Sequence, residues 1–343
     1  MKKLLFLFVF TVMTGFCAMA QNTLMATLNH EGEVSVFYGV NAIKLANDAA
    51  VDGDIISLTG GTFKATTLTK AVTLRGTGVY PNEDAQTIAT RITDDFTINI
   101  ADKEHQLVIE GINFLNEFRN QCNIQNPLFR KCIFRDFVLA TYSSYSVNSG
   151  TFINCFLSQI SIHGYSSSNS LSLINCFVNN IYENNGSPYN VYTCVNSIIG
   201  LKKGYSTNDI SYSSFDNCIF FGKESDCGKL GISNNANNCV ATGPGMEHIF
   251  DNFLVGGNTV VEDISAIFKD FDGTSYTDVS TFELTDEAAR TYLCVDGSQV
   301  GIHGGSCPLD FVMPALRFTK CVVANKSTAD GKLSVDIEVE GIK

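Results

Sequence analysis

The segment TFINCFL at 151–157 recurs with the same apolar and polar pattern every 21 residues. Its later copies are SLINCFV at 172–178, TCVNSII at 193–199, SFDNCIF at 214–220 and NANNCVA at 235–241. Small or apolar residues stand two positions before each central Asn and three positions after it. A fixed period of this kind indicates a solenoid, in which each repeat buries its apolar face against the next repeat.

The Asn of each repeat predicts a sharp bend between two strands. Side chains alternate along a straight strand, so the Cys after the Asn would point away from the preceding apolar column. An Asn in a left-handed or bridging conformation shifts this phase by one residue and turns both side chains inward. We therefore predict the rungs of an all-β parallel β-helix, with the Asn amides as an internal ladder in which each bonds to the next rung. The predicted ladder residues are Asn154, Asn175, Asn196, Asn217, Asn238, Cys155, Cys176, Cys218 and Cys239.

The cysteine column, which also includes Cys132, is open to three interpretations: buried thiols, metal ligands or disulfides. Stacked rungs lie about 4.8 Å apart, but their side chains point the same way rather than at each other. Ser197 takes the Cys position in one copy, which favours packing over ligation. Cys294 and Cys307 flank a Gly-rich passage and are the pair for which we predict a possible disulfide.

The chain is expected to have three parts. Residues 1–20 combine Lys2 and Lys3, an apolar run and Ala18-Met19-Ala20, as in a secretory signal peptide. We expect an exported protein, periplasmic, on the cell surface or secreted, with no membrane insertion after cleavage. Residues 21–307 are the predicted β-helix, capped by a short helix within 40–50, and residues 308–343 are a tail that ends in a β-hairpin.

The net charge of −12 excludes nucleic acid as an expected partner, because an acidic surface repels polyanions. Segments rich in Ser, Asn and Tyr, at 142–149 and 165–170, are predicted loops of the rungs. Such side chains suit neutral sugars, so polysaccharide or an envelope glycan is the expected partner. No cofactor is predicted other than, at most, calcium.

Several segments resemble secreted right-handed β-helix proteins of the pectate-lyase-like superfamily, in the form common in Bacteroides-type bacteria. These segments are DGDIISL at 52–58, GTF at 61–63, LTK at 68–70, VTLRG at 72–76, DGSQVGIHGG at 296–305 and GKLSV at 331–335. The resemblance implies a right-handed solenoid over nearly all of the mature chain. It implies no single activity, because the superfamily contains lyases, hydrolases and adhesins. Lyases of this fold generally need a Lys or Arg base and, in many cases, carboxylates that hold calcium.

Two small groups of residues are candidates for chemistry. Arg130, Arg135 and Asp136 form the nearest approach to a charged cluster in the repeats and are candidate catalytic residues, with a solvated rung edge as the alternative. Asp270, Asp272 and Asp278 are candidate calcium ligands, with an ordinary acidic loop as the alternative. The segment around His303 is predicted to be a tight turn that closes the solenoid.

Two functions remain open. The first is a non-catalytic scaffold that binds glycan or another envelope component along the β-helix face. The second is a polysaccharide lyase or glycoside hydrolase with its site on the same face. Charged residues are scarce in the repeats, which favours the scaffold; a group of Asp, Glu, Lys or Arg on one flank of the folded solenoid would favour the enzyme.

Overall fold

The computed structural model describes residues 23–83, 87–140, 145–162, 168–183, 190–201, 210–222, 233–251, 256–273, 280–323 and 335–342. Within these ranges the chain forms a parallel β-solenoid with two long sheets. The first sheet contains, in spatial order, β2 (Glu33–Tyr38), β1 (Met25–His30), β3 (Ile55–Leu58), β6 (Thr73–Arg75), β9 (Val108–Glu110), β12 (Leu128–Arg130), β15 (Gly150–Ile153), β18 (Ser170–Ile174), β21 (Val191–Val195), β23 (Ser214–Asp216) and β25 (Asn235–Asn237).

The second sheet runs alongside the first. Its spatial order is β27 (Thr259–Val261), β26 (Val240–Thr242), β24 (Ile219–Gly222), β22 (Ile198–Leu201), β19 (Phe177–Val178), β16 (Phe156–Leu157), β13 (Ile133–Ala140), β10 (Asn113–Asn120), β7 (Thr90–Thr93) and β4 (Gly61–Lys64), with β5 (Thr67–Leu68), β8 (Phe96–Ile98), β17 (Ile160–Ile162) and β20 (Ile181–Glu183) attached. The remaining elements are the pair β11 (Ile124–Gln125) and β14 (Val147–Asn148), the antiparallel pair β28 (Ala315–Val323) and β29 (Val335–Ile342), helices α1 (Ala42–Ala49) and α2 (Asp286–Thr291), and a 3-10 helix (Ile264–Ala266).

The register of the strands confirms that the 21-residue repeat is one rung of a solenoid. Phe152 of β15 is paired with Leu173 of β18, which is paired in turn with Cys194 of β21, and these strands are parallel. Within the first sheet only the first strands differ, because β1 is antiparallel to both β2 and β3. The expected helix near the N-terminus is present as α1, which buries Ala42 and Ile43 in the solenoid core.

The predicted bend is present at every repeat. The φ angles of the repeat asparagines are +53° at Asn154, +50° at Asn175, +49° at Asn196, +55° at Asn217 and +53° at Asn238. Lys131 and Gly111 take the same place in earlier rungs, with φ of +51° and +65°. Because the left-handed residue shifts the alternation, the Cys that follows four of the five asparagines is buried in the same core as the residue two positions before that Asn.

The interior of the solenoid is a stack of aromatic rings on successive rungs. Phe114 and Phe134 stack with centroids 5.0 Å apart and planes 4° apart, and Phe129 and Phe152 stack at 4.7 Å. These four side chains are almost fully buried. Large rings repeated at two rung positions, one in each sheet, therefore fill the core where the 21-residue repeat begins.

The strand after each bend also carries an apolar side chain on its outer face. One such residue stands two positions after each bend residue: Ile133, Phe156, Phe177, Ile198, Ile219 and Val240. All are buried by a second hydrophobic core, formed with residues of the last rung and of the C-terminal strap, the name used here for residues 280–313. This apolar column of the second sheet, from β13 to β26, is therefore covered on its outer face, as the strands of parallel sheets usually are.

The strap runs back along the bends, against the direction in which the rungs ascend. Asn238 Nδ2 donates to Leu293 O at 2.9 Å, Asn175 Nδ2 donates to Ile302 O at 2.9 Å, and Asn154 Nδ2 donates to Pro308 O at 3.4 Å. Lys131 Nζ donates to Asp310 Oδ2 at 2.9 Å, one rung earlier still. The strap thus continues past residue 307, where the sequence predicts the start of a tail.

These contacts correct the expected bonding of the asparagine stack. The stack itself is present, but among the described residues only Asn238 donates to the repeat Asn of the adjacent rung, Asn217 Oδ1, at 2.7 Å. The amides were expected to bond from rung to rung throughout. Four of the five, those of Asn154, Asn175, Asn196 and Asn238, bond to the strap instead, because a left-handed residue at the bend directs its side chain away from the solenoid core. The predicted turn around His303 likewise lies on this outer surface, where Gly304 O accepts from Asn175 Nδ2.

Among the described residues, no helix has the length and apolar character needed to cross a membrane.

Candidate functional site

The thiols of the cysteine column are buried in the core and lie within hydrogen-bonding distance of backbone carbonyl oxygens. Cys176 Sγ lies 3.4 Å from Phe152 O and 3.3 Å from Ile174 O, and Ser197 Oγ meets the equivalent carbonyl groups one rung later. Burial raises the pKa of the Cys155, Cys194 and Cys218 thiols well above the ordinary value. The described residues contain no group of three or more His, Cys, Asp or Glu side chains that could hold a metal ion. Burial and a raised pKa make Cys155, Cys194 and Cys218 poor nucleophiles, and the structure favours packing as the role of the column.

The predicted disulfide between Cys294 and Cys307 is not formed in the structure, where both thiols are free. Cys294 Sγ lies 3.4 Å from the amide of Asn196, and Cys307 Sγ lies 3.9 Å from the amide of Asn154. Because these two asparagines are two rungs apart, the two thiols of the strap contact different rungs of the solenoid.

The three candidate catalytic residues are divided between the two sheets. Arg130 ends β12 in the first sheet, whereas Arg135 and Asp136 lie on β13 beyond the bend. Arg135 Nη1 donates to Leu115 O at 3.5 Å, and Asp136 Oδ1 accepts from Ser161 Oγ at 2.7 Å. Their proximity in sequence therefore does not make them one site.

Arg130 belongs instead to a row of charged side chains on the outer face of the first sheet. Backbone register places Arg75, Glu110 and Arg130 side by side on three adjacent rungs, and we call them the charged row. Glu110 is buried, and its Oε2 accepts from Arg75 Nε at 3.0 Å while its Oε1 accepts from Arg130 Nη1 at 3.4 Å. A cavity of about 320 Å³ adjoins this row and is lined by Arg75, Glu110, Arg130, Lys131, Met313 and Pro314.

The same register continues the charged row as an aliphatic row. Ile153, Ile174 and Val195 follow Arg130 on the next three rungs and are half-buried. None of the three belongs to either hydrophobic core. Apolar side chains thus remain partly accessible to solvent at regular spacing along this face.

A row of hydroxyl groups runs parallel to the aliphatic row. Thr151, Ser172, Thr193 and Ser214 occupy one register position on four successive rungs, followed by Asn235, and we call these five residues the hydroxyl row. They are half-buried or exposed, and none of these side chains has a hydrogen-bond partner within the part of the chain that the structure describes. With rungs about 4.8 Å apart, the row presents polar groups over roughly 19 Å.

The two sheets therefore have different outer faces. From β13 to β26 the strap and the residues packed with it cover the apolar column on the outer face of the second sheet, whereas the first sheet presents the charged, aliphatic and hydroxyl rows. We refer to the outer face of the first sheet as the open face. Sequence reasoning could have found it by aligning the residues three positions and one position before each Asn, which fall in two columns.

Two of the three predicted calcium ligands, Asp270 and Asp272, lie within the described residues. Asp270 Oδ2 accepts from the backbone nitrogen and the hydroxyl of Thr281, at 2.9 and 2.8 Å. Asp272 has a partner of its own, and Asp278 lies outside the described residues. Calcium binding here stays a prediction.

Comparison with protein-family models, with curated proteins and with solved structures found no match to this chain.

Proposed function

We propose that this protein is an exported, non-catalytic scaffold that binds an extended neutral glycan along the open face. The observation that carries the proposal is the hydroxyl row, whose side chains make no hydrogen bonds to other described residues. A hydroxyl group both donates and accepts, so it can bond the hydroxyl groups of a sugar in either sense. A repeating polymer suits a repeating surface, because on three successive rungs a sugar unit meets one hydroxyl group and one aliphatic side chain.

The aliphatic row supports the same proposal. Ile153, Ile174 and Val195 lie two residues along their strands from the hydroxyl row, on the same face, and are half-buried. Sugar rings have apolar C–H faces as well as hydroxyl edges, and the two rows offer a surface for each. The finer assignment to right-handed β-helix proteins of the pectate-lyase-like superfamily is part of this proposal and is supported by the segments at 52–76 and 296–305.

The second candidate is a polysaccharide lyase or glycoside hydrolase, and the charged row is the observation that favours it. Charged groups on one flank of the solenoid are the feature expected of an enzyme. However, both oxygens of Glu110 are engaged by guanidinium groups, and Lys131 Nζ donates to Asp310 and to Val312 O. Hydrolysis uses two carboxylates, whereas Glu110 is the single carboxylate among the described residues that line the cavity. Binding is therefore the better supported function.

The test uses the mature chain with cello-, xylo-, manno- and malto-hexaose, in the presence and absence of calcium. Isothermal titration calorimetry measures binding, while reducing-end and unsaturated-product assays on the parent polysaccharides measure turnover. We expect at least one hexaose to bind without turnover. Turnover of any of these glycans would contradict the non-catalytic assignment, and the absence of binding to all four would contradict the neutral-glycan proposal.

A further inference from the structure

The cavity beside the charged row has the dimensions of a small-ligand site. Its volume of about 320 Å³ lies at the lower end of the range for ligand pockets. Residues of the first sheet and Lys131 at the bend form one side, and Met313, the last residue of the strap, forms the other together with Pro314. It therefore has one charged wall and one largely apolar wall.

The side chains that line this cavity carry a positive net charge, whereas the chain as a whole is negatively charged. Arg75, Arg130 and Lys131 supply three cationic groups, and Glu110 supplies one carboxylate, in a protein of net charge −12. Asp310 partly neutralises Lys131, because its Oδ2 lies 2.9 Å from Lys131 Nζ. The cavity still retains positive charge, and an anion in it would be attracted although the chain as a whole repels anions.

The two arginines retain most of their hydrogen-bonding capacity. Each guanidinium carries five N–H donors. Arg75 uses Nε and Arg130 uses Nη1, both toward Glu110, and no other partner exists for either group among the described residues. Both side chains are about half exposed, at 49%. Donors on Arg75 and Arg130 are therefore accessible for a ligand.

Glu110 fixes the position of both arginines. Its side chain is 11% exposed, and it lies on the rung between them. The buried carboxylate already restricts the motion of both guanidinium groups in the free protein. Each arginine therefore loses less conformational entropy when a ligand binds. The two arginines are thus preorganised to bind the negatively charged group of a ligand, unlike the two partners of an isolated surface ion pair.

From this geometry we infer that the cavity binds an oxyanion, namely a carboxylate, sulfate or phosphate group carried by a ligand of monosaccharide size. Arg75 and Arg130 contact the oxyanion, because planar guanidinium groups match such oxygens bidentately. Lys131 adds positive charge, and Met313 and Pro314 contact the uncharged part of the ligand. This inference goes beyond the proposed function, since it does not depend on whether a neutral glycan binds the open face.

The experiment measures the affinity of the mature chain for glucuronate, glucose 6-sulfate, glucose 6-phosphate and glucose by calorimetry in a low-salt buffer without oxyanions. We expect at least one charged sugar to bind tenfold or more tightly than glucose, and the preferred group identifies the oxyanion. In the double variant Arg75→Gln/Arg130→Gln, we expect that affinity to fall at least tenfold.

Two further variants keep the test independent of folding. Lys131→Asn removes a charge but places at this bend the residue that the later rungs use, so it retains the left-handed backbone; we expect a smaller loss, about threefold. Arg135→Gln is the matched control, because this exposed arginine lies on the second sheet, and its affinity should equal that of the wild type. The inference is overturned if no charged sugar binds more tightly than glucose, if a folded double variant binds like the wild type, or if Arg135→Gln loses as much affinity.

Discussion

The side-chain amide of Asn175 donates to two carbonyl oxygens of the strap, Ile302 O at 2.9 Å and Gly304 O at 2.8 Å. The same residue supplies the left-handed bend of its rung, with φ of +50°. One buried side chain thus shapes the solenoid and also attaches the segment that covers it.

Substitution of Asn175 by Gly and by Ala separates these two roles. Gly retains access to the left-handed backbone but loses two hydrogen bonds, so we expect a loss of about 1–3 kcal/mol in the free energy of unfolding. Ala loses the same bonds and adds about 1–2 kcal/mol of backbone strain. Urea denaturation measures both. Asn126→Gly is the control, because Asn126 has φ of +50° and an exposed side chain. Equal stability of the Gly variant and the wild type would show that the strap bonds contribute nothing.

Cys176 is expected to tolerate Ser far better than Val. Ser197 already occupies the equivalent position one rung later and contacts the same two kinds of carbonyl oxygen. We expect Cys176→Ser to change the free energy of unfolding by about 1 kcal/mol or less. Cys176→Val removes the donor and adds volume to a closely packed column, which costs about 1–3 kcal/mol. A Ser variant as unstable as the Val variant in urea denaturation would contradict the packing account of this column.

The second hydrophobic core should contribute as much stability as the first. Phe282 of the strap stacks on Phe177 with centroids 4.1 Å apart, and both are fully buried. We expect Phe282→Ala to cost about 3–5 kcal/mol, similar to Phe152→Ala inside the solenoid. Guanidinium denaturation of the two variants gives the comparison. A loss below about 1 kcal/mol for Phe282→Ala would mean that the strap is not an integral part of the fold.

The pair formed by His30 and Asp54 should make the N-terminal end of the solenoid sensitive to pH. Nδ1 of His30 lies 2.8 Å from Oδ1 of Asp54, and this hydrogen bond with the carboxylate charge raises the pKa of His30 above 6.5. Because the pKa of His30 is higher in the folded state than in the unfolded state, protonation stabilises the fold. This stabilisation is complete below pH 6.5 and is lost as pH rises through the pKa of the folded state. Melting temperatures from pH 5 to 9 should therefore fall more for the wild type than for His30→Gln. Parallel curves for the two proteins would refute the contribution.

The sequence was sufficient to predict the rungs because the information lies within each repeat. The Asn at 154, 175 and 196 determines the bend, and the inward residues follow from the alternation of strands. The strap could not be predicted in this way, since it has no period. Its target, the apolar column that includes Phe156 and Phe177, was nevertheless visible two positions after each Asn, and an apolar column on an outer face implies a cover.

The candidate site was predicted only in part, for a related physical reason. Arg130 was selected together with its sequence neighbours Arg135 and Asp136. Its true partner is Glu110, 20 residues earlier, and Glu110 bonds Arg75 a further 35 residues earlier. Side chains in a solenoid meet across rungs, and the early rungs have unequal lengths, which hides the register that the later repeats show.

The most direct test of the account compares hexaose binding by the wild type and by the triple variant Thr151→Val/Ser172→Ala/Thr193→Val, which removes hydroxyl groups from the open face with little change of shape. The probe is the hexaose that binds the wild type most tightly. We predict that Kd rises at least tenfold, as expected from the loss of about 1.4 kcal/mol or more in hydrogen-bonding free energy. Thr62→Val is the control, because Thr62 is exposed on the second sheet, and it should bind like the wild type. An unchanged Kd in the folded triple variant would contradict the central claim that the open face is the glycan-binding surface.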